Sequence, residues 1–260
     1  MLQKRTPDMD LNMALMRATF KLDQRQEDGV TTIGTGWLVR LPEADGQGSS
    51  ARLALVTAGH VLDRMKHEQA SVHWRRVDAH GRWHREPAPV RIRSGAGAPL
   101  WIRHPDRDIA ALPIDPPAHA HDWAIGFDQL ADDAALEAFD VQPGDEMLAL
   151  GYPRGLSANE IGFPILRAGR VASYPLWPSV DFPTFLMDFA VFAGNSGGPV
   201  YMSDRARKRV GARDFHEAQF VAGLLAQQVV LTDERLEIGI VLHAAFIRQC
   251  LLALKEKLDA

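Results

Sequence analysis

The apolar residues of this chain arrive in short runs, each closed by turn chemistry, and that pattern constrains the fold more than any other feature. A short strand cannot bury itself alone, so a succession of them must pair into a barrel or a sandwich. In the first hundred residues, Ala14 to Leu22 reads as extended. Gly34-Thr35-Gly36 leads into Trp37-Leu38-Val39, and turn residues at 42–50 precede Leu53–Val56. Residues 71–93 read as a hairpin turning at Ala79-His80-Gly81, and Ile109–Ile114 closes at Pro116-Pro117. Strand signals resume at Met147–Leu150, Ile165–Val171, Phe185–Val191, Phe220–Val230 and Glu237–Leu242. The reading is therefore all-β, in two halves at 1–114 and 146–242.

Between them, residues 115–145 read as an acidic linker crossing the surface. Nine acidic residues lie from Asp115 to Glu146 with no Lys or Arg, and a turn of helix fits near Asp132–Phe139. After residue 243 the period changes. Phe246, Ile247, Cys250, Leu251, Leu254 and Leu258 recur at helical spacing, which predicts an amphipathic C-terminal helix over 243–260 packing on the second half.

Composition narrows the setting. One cysteine in 260 residues excludes an intramolecular disulfide and with it a stapled secreted fold. A net charge of −4 lacks the basic excess of a nucleic-acid binder. Asp8 and Asp10 stand where the apolar core of a signal peptide would lie, and no apolar run approaches the roughly 18 residues of a membrane span. A cytoplasmic protein with no nucleic-acid or membrane partner is expected. The sequence carries no signal for an oligomeric state.

Two segments carry chemistry. Ala193-Gly194-Asn195-Ser196-Gly197-Gly198-Pro199 sets a serine among glycines, where adjacent backbone N–H groups can converge on one point. Leu55-Val56-Thr57-Ala58-Gly59-His60 ends an apolar strand on a histidine, placing a base at a rim. A carboxylate should orient that histidine. Asp108, abutting the apolar run Ile109-Ala110-Ala111-Leu112, is preferred over Asp106, which could share its strand face. The order His60, Asp108, Ser196 places the first two in one β-rich half and the serine in the other.

On these residues the chain resembles the trypsin-like, chymotrypsin-fold serine proteases over nearly its whole length. GTGWLV and LVTAGH resemble the family's first half up to its histidine, and RDIAAL the segment of its aspartate. LGYPRG, ILRAGRVAS and FLMDFAVFAGNSGGPV resemble its second half. The subgroup most similar is the bacterial, disulfide-free one that includes the Deg-type proteases. The resemblance implies two antiparallel six-stranded β-barrels with the cleft between them, a polypeptide substrate, and no metal or cofactor. It makes Ser196 the nucleophile, His60 the general base, Asp108 its orienting carboxylate, and the Gly194 and Ser196 amides the oxyanion hole. It places the substrate pocket at Ala190, Val191, Ala226 and Gly239, with walls near Ala226–Gln228 and Gly239–Val241.

Departures from the family pattern carry further expectations. Digestive members have an Asp before the nucleophile that pairs with a newly cleaved N-terminus; Asn195 cannot, so activity without zymogen cleavage is expected. Ala190 stands where trypsin-type enzymes carry Asp, so small or medium apolar residues are the expected preference. The sequence ends at Ala260, leaving no expected room for the peptide-binding domain of Deg-type enzymes. His67, His73, His80 and His84 lack ligand spacing and are not expected to bind metal. The alternative to an enzyme is a latent or regulatory peptide-binding protein on the same fold.

Overall fold

The computed structural model describes residues 10–42, 51–231 and 234–260, with backbone alone for those between 227 and 235. Most of the turn expected at 42–50, Asp8, and the side chains of Gln227 and Gln228 lie outside the described residues.

The chain opens differently from the extended reading of Ala14–Leu22. Helix α1 runs Leu11–Ala18 and strand β1 only from Thr19 to Arg25. The Asp10 side chain accepts from the Asn12 amide and caps the helix. Leu11, Leu15 and Ala18 then fall on one buried helical face. β2 (Thr31–Arg40), β3 (Leu53–Thr57), a short helix α2 (Gly59–Arg64), β4 (Gln69–Val77), β5 (Trp83–Arg91), β6 (Ile102–Arg103) and β7 (Ala110–Ile114) complete the first half. β4 and β5 are the expected hairpin, in register from Gln69–Arg91 to Val77–Trp83.

The six-stranded barrel expected for this half is not seen to close among the described residues. Its strands lie in one seven-stranded antiparallel sheet in the order β5-β4-β1-β2-β3-β7-β6. The ends of that order explain themselves. β5 carries Pro87 and Pro89, which have no N–H to give a further strand, and β6 is only two residues long.

The segment after β7 does more than cross the surface. It holds 3-10 turns at Ala118–Trp123 and Phe127–Gln129 and helix α3 at Asp133–Ala138. Ala120, Ala124, Ile125, Leu130 and Leu136 are buried, and single bridges tie Ile125 to Val39 and Leu130 to Val221. Small apolar residues between the acids thus anchor the segment to both halves.

The second half is a closed six-stranded barrel. β8 (Glu146–Gly151), β9 (Ile165–Val171), β10 (Thr184–Asp188), β11 (Pro199–Lys208), β12 (Phe215–Leu231) and β13 (Glu234–His243) pair in the order β10-β13-β12-β11-β8-β9. β9 alternates between partly buried and exposed residues, as one strand face turned inward requires. β11 leaves no alternating apolar signal in the sequence, because its outer part, Ser203–Lys208, is largely polar and only partly buried.

Helix α4 (Ala244–Asp259) buries Phe246, Ile247, Cys250, Leu251 and Leu254, while Leu258 stays exposed. Its apolar face does not stay on the second half. It shares one core cluster with Trp101 and Ile109 of the first half and Leu224 and Leu242 of the second. His104 meets Gln249 at 2.8 Å, and the Arg107 guanidinium lies 5.0 Å from the Phe246 ring. The helix therefore braces both halves, which no disulfide does. Among the described residues no helix is long and apolar enough to cross a membrane.

Candidate active site

β3 delivers the chain to Ala58, and α2 begins one residue before His60. Gly59 leaves room for both side chains there. A Cβ on it would sit 2.9 Å from Asp108 Oδ1 and 2.8 Å from the Arg103 guanidinium. Its absence lets Asp108 close in twice. Oδ1 accepts from the His60 amide at 2.8 Å, and Oδ2 stands 2.5 Å from His60 Nδ1. Arg103 makes a longer contact of 3.4 Å to Oδ1 while its other arm holds Asp63. Burial pushes the Asp108 carboxyl up, but His60 and the Arg103 charge outweigh it and hold the carboxyl below its ordinary value. Asp106 is exposed and makes no hydrogen bond to His60 among the described residues; its backbone amide donates to His104 Nδ1 at 3.2 Å. Of the two rival acids, the structure brings Asp108 to His60.

The serine reaches the same cleft from the other half. The Gly197 amide donates to Leu225 O at 2.8 Å and the Leu225 amide to Gly198 O at 2.9 Å, which pins the loop to β12. Thr35, fully buried on β2, holds it from behind. The Thr35 hydroxyl donates to Gly194 O at 2.7 Å and its amide to Ser196 O at 2.9 Å, while the Thr57 hydroxyl donates to Thr35 O at 2.7 Å. With both carbonyls held at the back, the Gly194 and Ser196 amides have no acceptor among the described residues. That leaves two unspent donors beside Ser196. Gly194 sits at φ +96°, and a Cβ there would fall 2.2 Å from Tyr152 O, so only glycine fits.

His60, Asp108 and Ser196 line one cleft of about 580 Å³ with Arg64, Arg103, Val191, Phe192 and Ala193. Of the expected pocket residues, Val191 is on this wall. Gly239 lies behind it, where an added Cβ would be 3.0 Å from Val191, and Ala226 is buried in the core. Ala190 is set back, its carbonyl accepting from Arg167 at 2.6 Å. Cys250 is remote on α4, its thiol pushed up to about 12 by burial and so inert. No group of three or more His, Cys, Asp or Glu gathers as a metal site among the described residues.

The sequence reading missed Thr35, Arg64, Arg103 and Arg154. Arg64 had a signal. It follows His60 by four residues, and recognising α2 would have placed both on one helix face.

The sequence matches the trypsin-like peptidase domain family over residues 34–211. Among solved structures, that of the HtrA-type protease AlgW with a tripeptide is similar at a TM-score of 0.53 and 18% identity. The match covers 94% of this chain and 62% of that one, so the chain spans less than two thirds of that protein's length. Comparison with curated protein sequences returns no match. At that identity the AlgW likeness speaks for the fold, whereas the sequence match takes in most of the chain and both halves of the cleft; the chain belongs to the trypsin-like peptidase domain family.

Proposed function

We propose that this chain is a serine endopeptidase that hydrolyses peptide bonds through an acyl-enzyme. The observation that carries the reading is the His60–Asp108 contact on a cleft shared with Ser196 and two unspent amides. Asp108 Oδ2 accepts a hydrogen bond from His60 Nδ1–H and keeps the proton on that nitrogen, which leaves Nε2 of His60 as the free base. The Ser196 hydroxyl attacks the peptide carbonyl and passes its proton to Nε2. The carbonyl oxygen becomes an oxyanion and receives the Gly194 and Ser196 N–H groups. Collapse expels the amine, which takes the proton from His60, and water releases the acyl group by the same route.

The finer proposals follow from the same site. The two halves form a pair of barrel-like units, as in chymotrypsin-type enzymes, with the substrate between them. Val191 and Ala190 offer no carboxylate, so residues with small or medium apolar side chains precede the cleaved bond. Asn195 is buried with an uncharged amide, so no ion pair with a new N-terminus is needed for activity. A polypeptide is the substrate, in keeping with the tripeptide in the AlgW structure, and the cytoplasm is the proposed compartment.

Treatment of the intact chain, its mass verified as untrimmed, with a fluorophosphonate tests the reading. Wild type takes up one adduct, Ser196→Ala none, and His60→Ala reacts at least about 10²-fold more slowly. The same preparation cleaves peptides after Val or Ala in preference to Arg or Lys. Folded wild type that binds peptide but takes no label would instead identify the latent, peptide-binding alternative.

A further inference from the structure

The cleft continues past Ser196 into a second groove of about 290 Å³, shared by His60, Gly194, Ser196, Ile33, Arg64 and Arg154. A peptide lying over the serine must occupy both. With the residue under attack against Val191 and Phe192, this second groove receives the residues that leave with the amine.

Its charge is one-sided. Arg64 and Arg154 are both exposed into it. Among the described residues neither has an ion-pair partner. The nearby acids are already taken, Asp108 by His60 and Arg103, and Asp63 by Arg103. Both cations rise from backbone that the fold fixes beside the serine. Arg64 sits one turn beyond His60 on α2. Arg154 lies in the left-handed region at φ 53°, its amide bonded to Ala193 O and its guanidinium 5.4 Å from the Phe192 ring. The following Gly155 abuts Ile33, where an added Cβ would be 2.8 Å away, so that turn is seated on the groove floor. On a chain of net charge −4, two unneutralised guanidinium groups beside the serine create a local field opposite in sign to the whole.

We infer that this groove binds a carboxylate-bearing segment of the substrate, gripped by Arg64 and Arg154. Guanidinium groups suit that task because their planar donors match a carboxylate in pairs. The assignment of leaving-group side rests on the protease reading, but the charge preference can be read without turnover.

The test uses fluorescent peptides on the Ser196→Ala chain, followed by anisotropy. One peptide carries Val-Ala followed by Glu-Glu, and its twin carries Lys-Lys. The acidic peptide binds about five- to tenfold more tightly at low ionic strength, and the gap narrows as salt rises. Arg64→Gln and Arg154→Gln each shrink the gap to about twofold. Because Arg154 borders the serine loop, Arg64→Gln on the exposed helix face is the variant that keeps the result interpretable. Equal affinities, no binding of the acidic peptide, or a preference that survives both substitutions overturns the inference. Fluorophosphonate labelling of wild type separates the two failures. Label uptake without charge preference leaves the protease standing and removes the acidic subsite; charge preference without label uptake does the reverse.

Discussion

Asp108→Asn lowers turnover by about 10⁴ while leaving the fold intact. The same exchange has that effect in the family's reference triad, and the contacts of this carboxylate explain why it should here. Oδ2 is 2.5 Å from His60 Nδ1, so it fixes the proton on that nitrogen. An amide NH2 in its place presents a donor, which drives the proton to Nε2 and removes the base facing Ser196. The size of the loss separates this role from a merely structural one. Oδ1 also accepts the His60 amide, and an Asn oxygen can keep that bond, so α2 should hold its place. Turnover and thermal unfolding measured on the same preparation decide the point. A loss below about tenfold would mean that the imidazole keeps its tautomer without Asp108. The pH dependence carries a second signature. The folded-state pKa of Asp108 is depressed, so its contribution to stability is present above the ordinary carboxylate value. It is lost as pH falls through the lower, folded value, and Asp108→Asn removes that segment of the acid limb.

The His60, Asp108, Ser196 order was legible because each residue sits where a short apolar strand meets glycine-rich or turn chemistry, a local pattern that survives without coordinates. The β4–β5 hairpin was legible for the same reason, since its turn residues are adjacent in sequence. What was not legible depended on contacts remote along the chain. Thr35 looks like a spacer between two glycines, and only the return of residues 194–196 makes it a clamp. The helical start at Leu11 was hidden because Leu11, Leu15 and Ala18 lie in a run apolar enough to pass for a strand, and the Asp10 cap decides the outcome. The path of α4 across both halves could not be read from its stripe, because periodicity says which face is buried and not against what. The same holds for the first sheet, whose seven-strand order depends on β6, too short to leave a periodic signal.

Arg75→Leu destabilises the protein by about 3–5 kcal/mol, on the scale of charge-assisted hydrogen bonds lost in a core. Arg75 is a fully buried side chain on β4, and no carboxylate among the described residues neutralises it. Its guanidinium instead donates to the carbonyls of Arg17, Thr19 and Gly162 at 2.8 to 3.0 Å, and to the Tyr152 hydroxyl at 3.1 Å. It is stacked between the rings of Phe20 and Phe163, 4.6 Å from each. Replacing a buried ion pair wholesale with apolar residues is often harmless, since every polar partner leaves together. That escape is closed here, because four of the acceptors, Met16 O at 3.3 Å included, are main-chain carbonyls that no side-chain exchange can remove. Leucine strands them, and lysine, with three donors on a single nitrogen, recovers only part of the set. The expected order of stability is wild type, then Arg75→Lys, then Arg75→Leu, with the last melting roughly 10 °C below wild type. The loss should reach the active site as well. Tyr152 joins β8 to the turn whose Arg154 amide holds Ala193 O, and its own carbonyl packs against Gly194. Loosening Tyr152 should therefore lower kcat at temperatures where Arg75→Leu is still folded, with KM little changed. Urea unfolding of the three chains settles the stability claim. An Arg75→Leu chain as stable as wild type would show that the cation's desolvation cost cancels everything its terminal Nη donors gain.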